Sequence, residues 1–257
     1  MREARELVSR GYKEIVLTGV NLTTYDSGGA DLADLIGEIL TIDGDFRIRL
    51  GSSEPGDVVP KVVDLMAKES RLCRFLHLPL QYGEDGILAK MGRNYNSLEY
   101  KEICDYAYRK VSGICLGADI IIGFPGETEE AFETCCEYVE SLPLGLMHVF
   151  PYSVRPGTEA EKFAGRVPNA VVSRRVKKMA EIASQKALFF AKSQIGRTLR
   201  VLVEEDACGW SDNYLNVAVG QGAERNTFVD AKIAWAAEAR KVGTGQNHVR
   251  REKNITD

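Results

Sequence analysis

Short apolar runs alternate with helical patterns through the first 160 residues, and this alternation limits the fold more than any other feature. A helical pattern over 1–10, with Ala4, Leu7 and Val8 on one face, leads to a β-rich run over 14–20. Gly11 between them suits a helix C′ position. The pattern recurs as helix 31–40 and strand 46–51, then helix 58–68 and strand 75–80. Helix 97–111 then precedes strand 118–123, and helix 129–142 precedes strand 146–151. A strand every 30–40 residues or so, with a helix in each gap, predicts βα units and a parallel sheet joined by right-handed crossovers. The runs are nearly continuous in apolar character, as in strands covered on both faces. Periodicity alone leaves a curled partial barrel and a doubly wound sheet equally open.

Polar and glycine-rich turns follow each strand: Gly19-Val20-Asn21, Ser52-Ser53-Glu54-Pro55, Gln81-Tyr82-Gly83, Gly123-Phe124-Pro125-Gly126-Glu127, and Tyr152 to Thr158. All five fall at strand C-termini, where parallel α/β enzymes assemble their sites, so they are expected to form one composite site.

Beyond Pro168 the character changes. Residues 170–195 read as one long helix with Val172, Val176, Met179, Ile182, Ala183 and Phe190 as its apolar stripe. From Val171 to Arg200 the charged residues are Arg174, Arg175, Lys177, Lys178, Lys186, Lys192, Arg197 and Arg200 against one acid, Glu181. The whole chain carries a net charge of −4, but phosphates respond to charge within a Debye length, so this local stripe is the feature relevant to nucleic acid. Three short strands, 198–205, 214–219 and 227–236, then predict a small all-β module. Residues 243–257 are polar and are expected to be disordered. The divisions are therefore 1–160, a basic helical region 161–196, the module 197–242 and the tail.

No apolar run is long enough to cross a membrane, and residues 1–6 lack the apolar segment of a signal peptide, so a cytoplasmic protein is expected. The six cysteines, Cys73, Cys104, Cys115, Cys135, Cys136 and Cys208, form no C-x2-C or C-x3-C pair and read as reduced, buried thiols. No metal site is expected from them. His77 and His148 read as packed core histidines, and Trp210 and Tyr214 as core residues of the module rather than stacking platforms for bases.

The segment from Gly117 through Asp119 and Gly123-Phe124-Pro125-Gly126-Glu127 resembles the fifth-strand motif of radical S-adenosylmethionine enzymes. His77-Leu78-Pro79-Leu80-Gln81-x-Gly83 with Met91-x-Arg93-x-Tyr95, and Arg47-Ile48-Arg49-Leu50-x-Ser52-x-Glu54-Pro55, resemble segments of the methylthiotransferases in that superfamily. Thr18-Gly19-Val20-Asn21-Leu22 and His148 through Thr158 resemble the branch that modifies N6-threonylcarbamoyladenosine beside the tRNA anticodon. The last module resembles the TRAM RNA-binding domain.

This resemblance, running from Met1 to about Lys241, implies an α/β fold: a partial radical-SAM barrel lacking its first strand, followed by a small all-β TRAM-like barrel. It implies a tRNA partner, with S-adenosylmethionine and 4Fe-4S clusters as cofactors, while no residue pattern identifies a reductant or a sulfur donor. It assigns Asn21, Ser53, Gln81 and Asp119 to polar contacts with the cofactor's ribose and amino-acid ends. Gly123 and Gly126 would flank its adenine, and Arg155 would meet a carboxylate or a tRNA phosphate. Arg174, Arg175, Lys177 and Lys178 are the expected RNA contacts. Three departures accompany it, the first being that the family's N-terminal domain, with three cysteines for a second iron–sulfur cluster, is not found. The C-x3-C-x2-C loop that holds the radical-type cluster does not occur, so the chain reads as a truncated, inactive piece with an exposed edge at Ile15-Val16-Leu17. Tyr82 also replaces a small polar residue.

Overall fold

The computed structural model describes residues 1–205, 207–237 and 241–244, so the tail expected over 243–257 falls, from 245 on, outside the described residues. Five strands, β1 (Glu14–Leu17), β2 (Arg47–Leu50), β3 (Phe75–His77), β4 (Cys115–Ile122) and β5 (Leu144–Pro151), lie side by side in chain order. β1 pairs with β2 and β3–β4–β5 pair in succession, all parallel, while bridges Ile48–Leu72 and Ser52–His77 join β2 to β3. Chain order without reversal settles the alternative left open by periodicity. A doubly wound sheet must reverse direction once, whereas a barrel segment winds one way.

Helix α1 (Arg2–Ser9) precedes β1, and α2 (Leu32–Leu40), α3 (Val58–Met66), α4 (Asp85–Lys90), α5 (Ser97–Lys110) and α6 (Glu129–Ser141) connect the strands. Their starts are encoded locally. Asp31 and Asp34 form a reciprocal cap at α2, as do Asn96 and Glu99 at α5. At the end of α1, Gly11 takes φ +83° and its amide donates to Val8 O, the turn its position predicts. The helix-facing strand residues, among them Ile48, Leu50, Leu76, Leu116 and Ile120, are buried against Ile36, Val59, Val63, Tyr100 and Phe132.

The inner face departs from expectation. β1 and β2 are not apolar on both sides: Glu14, Arg47 and Arg49 alternate with the buried Ile15, Ile48 and Leu50 and point inward. Arg47 and Arg49 both bind Glu14, with Nε–Oε2 2.5 Å and Nε–Oε1 2.9 Å. What covers this face is the second part of the chain.

Helix α7 (Asn169–Ser193) crosses β5 and leads into an almost entirely antiparallel sheet ordered β10–β11–β8–β7–β6–β9. Its strands are β6 (Thr198–Glu205), β7 (Cys208–Ser211), β8 (Asn216–Ala218), β9 (Phe228–Lys232), β10 (Trp235–Ala237) and β11 (Lys241–Gly243). Three strands were expected and six are present: β7 and β11 are additional, and the run 227–236 divides into β9 and β10. Gly209 reads as a turn residue but lies in β7, paired with Val203, where a Cβ would come within 2.1 Å of Leu202 O and only glycine fits. The run 227–236 breaks at Ile233, whose amide still bonds Arg197 O, while that of Ala234 bonds Gly243 O; the strand changes partners there.

The sheet seats against one end of the barrel arc. Phe75, Cys115 and Leu146 share an apolar cluster with Phe190, Leu199, Val201 and Leu215. Tyr214 stacks on Phe75 with ring centres 4.3 Å apart and on Trp210 at 4.9 Å, so both aromatic rings are used in packing. Arg47 donates to the carbonyls of Arg200 and Trp210, and Arg49 to those of Ser211 and Asp212. Arg74 forks onto Asp212 at 2.6 and 3.1 Å. The polar inner residues of β2 are therefore the seat of the second sheet.

Candidate functional site

At the opposite end of the arc, the strand C-termini surround an open cavity of about 830 Å³. Gln81 from the turn after β3, Asp119 and Ile121 from β4, Phe124 from the following turn, and Phe150, Tyr152 and Arg155 from β5 and beyond line it. Three of the seven expected cofactor residues, Gln81, Asp119 and Arg155, thus share one space.

Gln81 adopts φ +70°, rare for a residue with a side chain, and is pinned there by its amide to Asp119 O and by the amide of Ile121 to its own carbonyl, each at 2.8 Å. Continuing as a strand would carry the side chain elsewhere; the left-handed turn directs it to the mouth. Arg155 is exposed and its guanidinium has no ion-pair partner among the described residues. Lys90 and Arg93 line the same space. The sequence reading gave Lys90 no role; its cue was only its place one residue before Met91-x-Arg93. Arg93 pairs with Glu54 at 3.3 Å, which leaves Lys90 and Arg155 as the mouth's unpaired cations among the described residues, against Asp119 and Glu159.

Asn21, Ser53, Gly123 and Gly126 stand elsewhere. Asn21 caps a short 3-10 turn, accepting from the Thr23 amide at 3.0 Å and donating to Glu54 at 3.3 Å, beside a separate polar hollow of about 460 Å³. Ser53 is buried and its Oγ has no hydrogen-bond partner among the described residues. Gly123 and Gly126 have φ +88° and +86°, but their open sides meet protein rather than free space. A Cβ on Gly123 would lie 2.6 Å from Val172 Cγ2, and one on Gly126 2.9 Å from Lys90 Nζ. The close approach expected for a base is taken at Gly123 by α7.

That turn is held from beneath. Glu127, with a fully buried side chain, accepts the Gly123 amide at 2.7 Å on one oxygen and Arg175 Nη1 at 2.6 Å on the other. Arg175 is only 4% exposed and also reaches Glu129. It belongs to the interior, unlike Arg174, Lys177 and Lys178, which are exposed. One in four of the expected RNA contacts is thereby withdrawn, because the helical stripe places position 175 toward the α6 side. Tyr82 is likewise buried, its phenol raised by burial and by the nearby Cys135 and Glu127, and it lies outside the mouth's lining.

One further group lies on the inner face. His77 Nε2 is 3.2 Å and His148 Nδ1 3.0 Å from the same Asp119 oxygen. Burial would raise that carboxyl, but the two imidazoles outweigh it and hold it below the usual carboxylate range. His77 is buried as a core histidine should be, whereas His148 is half-exposed, so the expectation is corrected for His148 alone.

Of the cofactors the resemblance implies, the residues at this end fit one and not the other. Tyr152 Oη and Arg93 Nε are buried polar atoms without partners among the described residues, and both belong to residues that line the cavity. Together with the apolar surface of Ile121, Phe124 and Phe150 they fit a ligand that is part flat ring, part polar, as S-adenosylmethionine is. An iron–sulfur cluster does not fit. Five cysteines are buried in different parts of the chain and Cys208 is half-buried, and no three of them converge among the described residues. Burial pushes the thiols of Cys73 and Cys104 up to about 12 and that of Cys136 to about 11, so they are protonated and poor ligands.

The family model of the Radical SAM superfamily matches residues 1–139. A threonylcarbamoyladenosine tRNA methylthiotransferase MtaB of Thermotoga maritima is 37% identical over 203 residues, covering 79% of this chain and 47% of that protein. A tRNA-2-methylthio-N(6)-dimethylallyladenosine synthase of Fusobacterium nucleatum is 35% identical over 244 residues, 91% of this chain and 56% of its own. The chain spans about half the length of the curated relatives it matches. Among solved structures, coproporphyrinogen III oxidase (HemN) from Escherichia coli, a radical SAM enzyme, superposes with TM-score 0.54 at 16% identity, covering 79% of this chain and 46% of that one; this likeness concerns the fold.

Proposed function

The chain belongs to the Radical SAM superfamily, and from that premise we propose that it is the cofactor- and RNA-binding part of a tRNA methylthiotransferase. The reaction proposed is 2-methylthiolation of N6-threonylcarbamoyladenosine beside the anticodon, which assigns the chain to the cytoplasm with tRNA as its partner. No helix of the described residues is long and apolar enough to cross a membrane. The observation that carries the reading is the mouth cavity, where Gln81, Asp119 and Arg155 meet at three adjacent strand ends.

S-adenosylmethionine bound there would supply a methyl group. Ile121, Phe124 and Phe150 give its base an apolar wall and exclude water. Gln81, fixed by two backbone bonds, offers its amide to ribose hydroxyls. Arg155 and Lys90 attract the amino-acid carboxylate or the incoming tRNA phosphates. Asp119 has Oδ1 engaged by the imidazoles and also lines the cavity. Asn21 and Ser53, at strand ends outside this lining, would act from the rim. Gly123 and Gly126 would serve the adenine by shaping the turn. Residues 197–242 act as a TRAM-like module whose covered face meets the barrel, and the exposed Arg174, Lys177 and Lys178 face the RNA backbone.

Relatives acting on the two kinds of modified adenosine match at nearly equal identity, so the choice of threonylcarbamoyl over dimethylallyl substrate rests on the segments around Asn21 and His148. A second reading, an RNA-binding protein without catalysis, is favoured by one observation: no three cysteines converge among the described residues. Equilibrium dialysis with S-adenosylmethionine separates them. Binding that is lost in Gln81→Ala and Arg155→Ala supports the first reading; tRNA binding with no cofactor binding supports the second.

A further inference from the structure

The geometry points to a mononuclear divalent-metal site on the inner face of the barrel arc, formed by His77, Asp119 and His148. The chain has 3 histidines; His248 lies outside the described residues, and the other two converge on one carboxylate oxygen. Each residue offers one ligand atom, and the three atoms lie within 4.8 Å of one another. The two nitrogen–oxygen separations, 3.2 and 3.0 Å, are close to the edge of about 3.3 Å of a tetrahedron with metal–ligand bonds of about 2.0–2.1 Å.

The arrangement is built by the sheet. Asp119 and His148 are direct register partners on β4 and β5, while His77 pairs with Gly117, two residues earlier on β4. The His77 ring leans over Gly117 to reach Asp119: a Cβ at 117 would lie 2.7 Å from His77 Nδ1. All three ligands therefore come from adjacent parallel strands, which hold them more rigidly than loops would.

Electrostatics favours a cation. Asp119 has no lysine or arginine partner among the described residues; the two imidazoles are its polar contacts. A carboxylate only 25% exposed, without a permanent positive charge beside it, welcomes an ion. Two imidazoles and one carboxylate, with further positions open to the lumen, suit zinc, iron(II) or cobalt(II) rather than magnesium or calcium. Asp119 also lines the mouth cavity, and His148 is half-exposed, so an ion there has an entry path and a free coordination position facing the cavity. The site shares Asp119 with the cavity proposed above for the cofactor and uses none of the cysteines.

The test uses the untagged 257-residue chain, stripped with chelator and titrated with Co2+ or Zn2+. One equivalent of zinc retained after desalting is expected, with a visible cobalt absorption typical of four- or five-coordination. Asp119→Asn, which keeps the shape, and His148→Gln, at a half-exposed position, should each weaken binding by at least about tenfold. Thermal melting of each variant checks that it folds, and either alone suffices. Less than a tenth of an equivalent bound to the parent chain overturns the inference. So does a full equivalent bound equally well by both folded variants, because the ion would then sit elsewhere.

Discussion

Arg175 on α7 places Nη1 2.6 Å from Oε1 of Glu127, and the other oxygen of that carboxylate takes the amide of Gly123 at 2.7 Å. The long helix is thus tied by one buried ion pair to the turn that bounds the mouth cavity. Removing the guanidinium leaves a fully buried carboxylate without a counter-charge, which costs about 3–5 kcal/mol. Arg175→Ala should therefore melt far earlier than the parent in chemical denaturation, while Arg174→Ala, at an exposed position one residue away, should leave the transition unmoved. Equal stability of the two variants would show that the pair is not the tie.

The RNA surface excludes Arg175. Replacing Arg174, Lys177 and Lys178 together by Ala keeps the buried Met179 and the partly buried Val172 and Val176 stripe intact, and alanine sustains the helix. Affinity for tRNA should fall, and the slope of log affinity against log salt should lessen by about 0.7–0.9 for each phosphate that is no longer neutralised. Fluorescence anisotropy at two salt concentrations measures both. An unchanged slope would move the RNA surface off this helix.

Glu14 makes the seat of the second sheet sensitive to acid. Burial pushes its carboxyl up, but the guanidiniums of Arg49 and Arg47 more than offset this and hold it below its ordinary 4.5. Its contribution is therefore complete above about pH 4.5 and disappears as the pH falls through the lower folded value. Glu14→Gln, which leaves two buried arginines without a carboxylate, should cost about 3–5 kcal/mol at pH 7 and should flatten the acid limb of the stability profile. Urea unfolding at pH 7 and pH 4, followed by tryptophan fluorescence, to which Trp210 at that seat contributes, provides the measurement.

Thiol reactivity should separate Cys208 from the rest. Burial raises the thiols of Cys73, Cys104, Cys135 and Cys136, and Cys115 is also buried, whereas Cys208 on β7 is half-buried. With a thiol reagent at mildly alkaline pH, no more than one of the six should react before unfolding and all six afterwards. Rapid labelling of a second cysteine in the native state would contradict this packing.

The βα alternation and the helix starts were legible because they depend on local chemistry, whereas only Gln81, Asp119 and Arg155 of the seven expected residues share the mouth, and Asn21 and Ser53, at strand ends that look alike in sequence, stand elsewhere. Asp31 and Asn96 cap their own helices, and strand direction follows once each crossover holds a helix. The polar turns could be placed at strand C-termini for the same reason. Strand order was not legible, since barrel and doubly wound sheets share one local pattern. Nor was the side on which a charged residue falls: Arg175 and Arg174 look alike in sequence, yet about 100° of helical turn puts one in the interior and the other in solvent. The inner-face pairing of Glu14 with Arg47 and Arg49, and the meeting of His77, Asp119 and His148, required the register between strands. Residues 29 or more positions apart become neighbours only when the sheet curls and pairs, and no local propensity carries that distance.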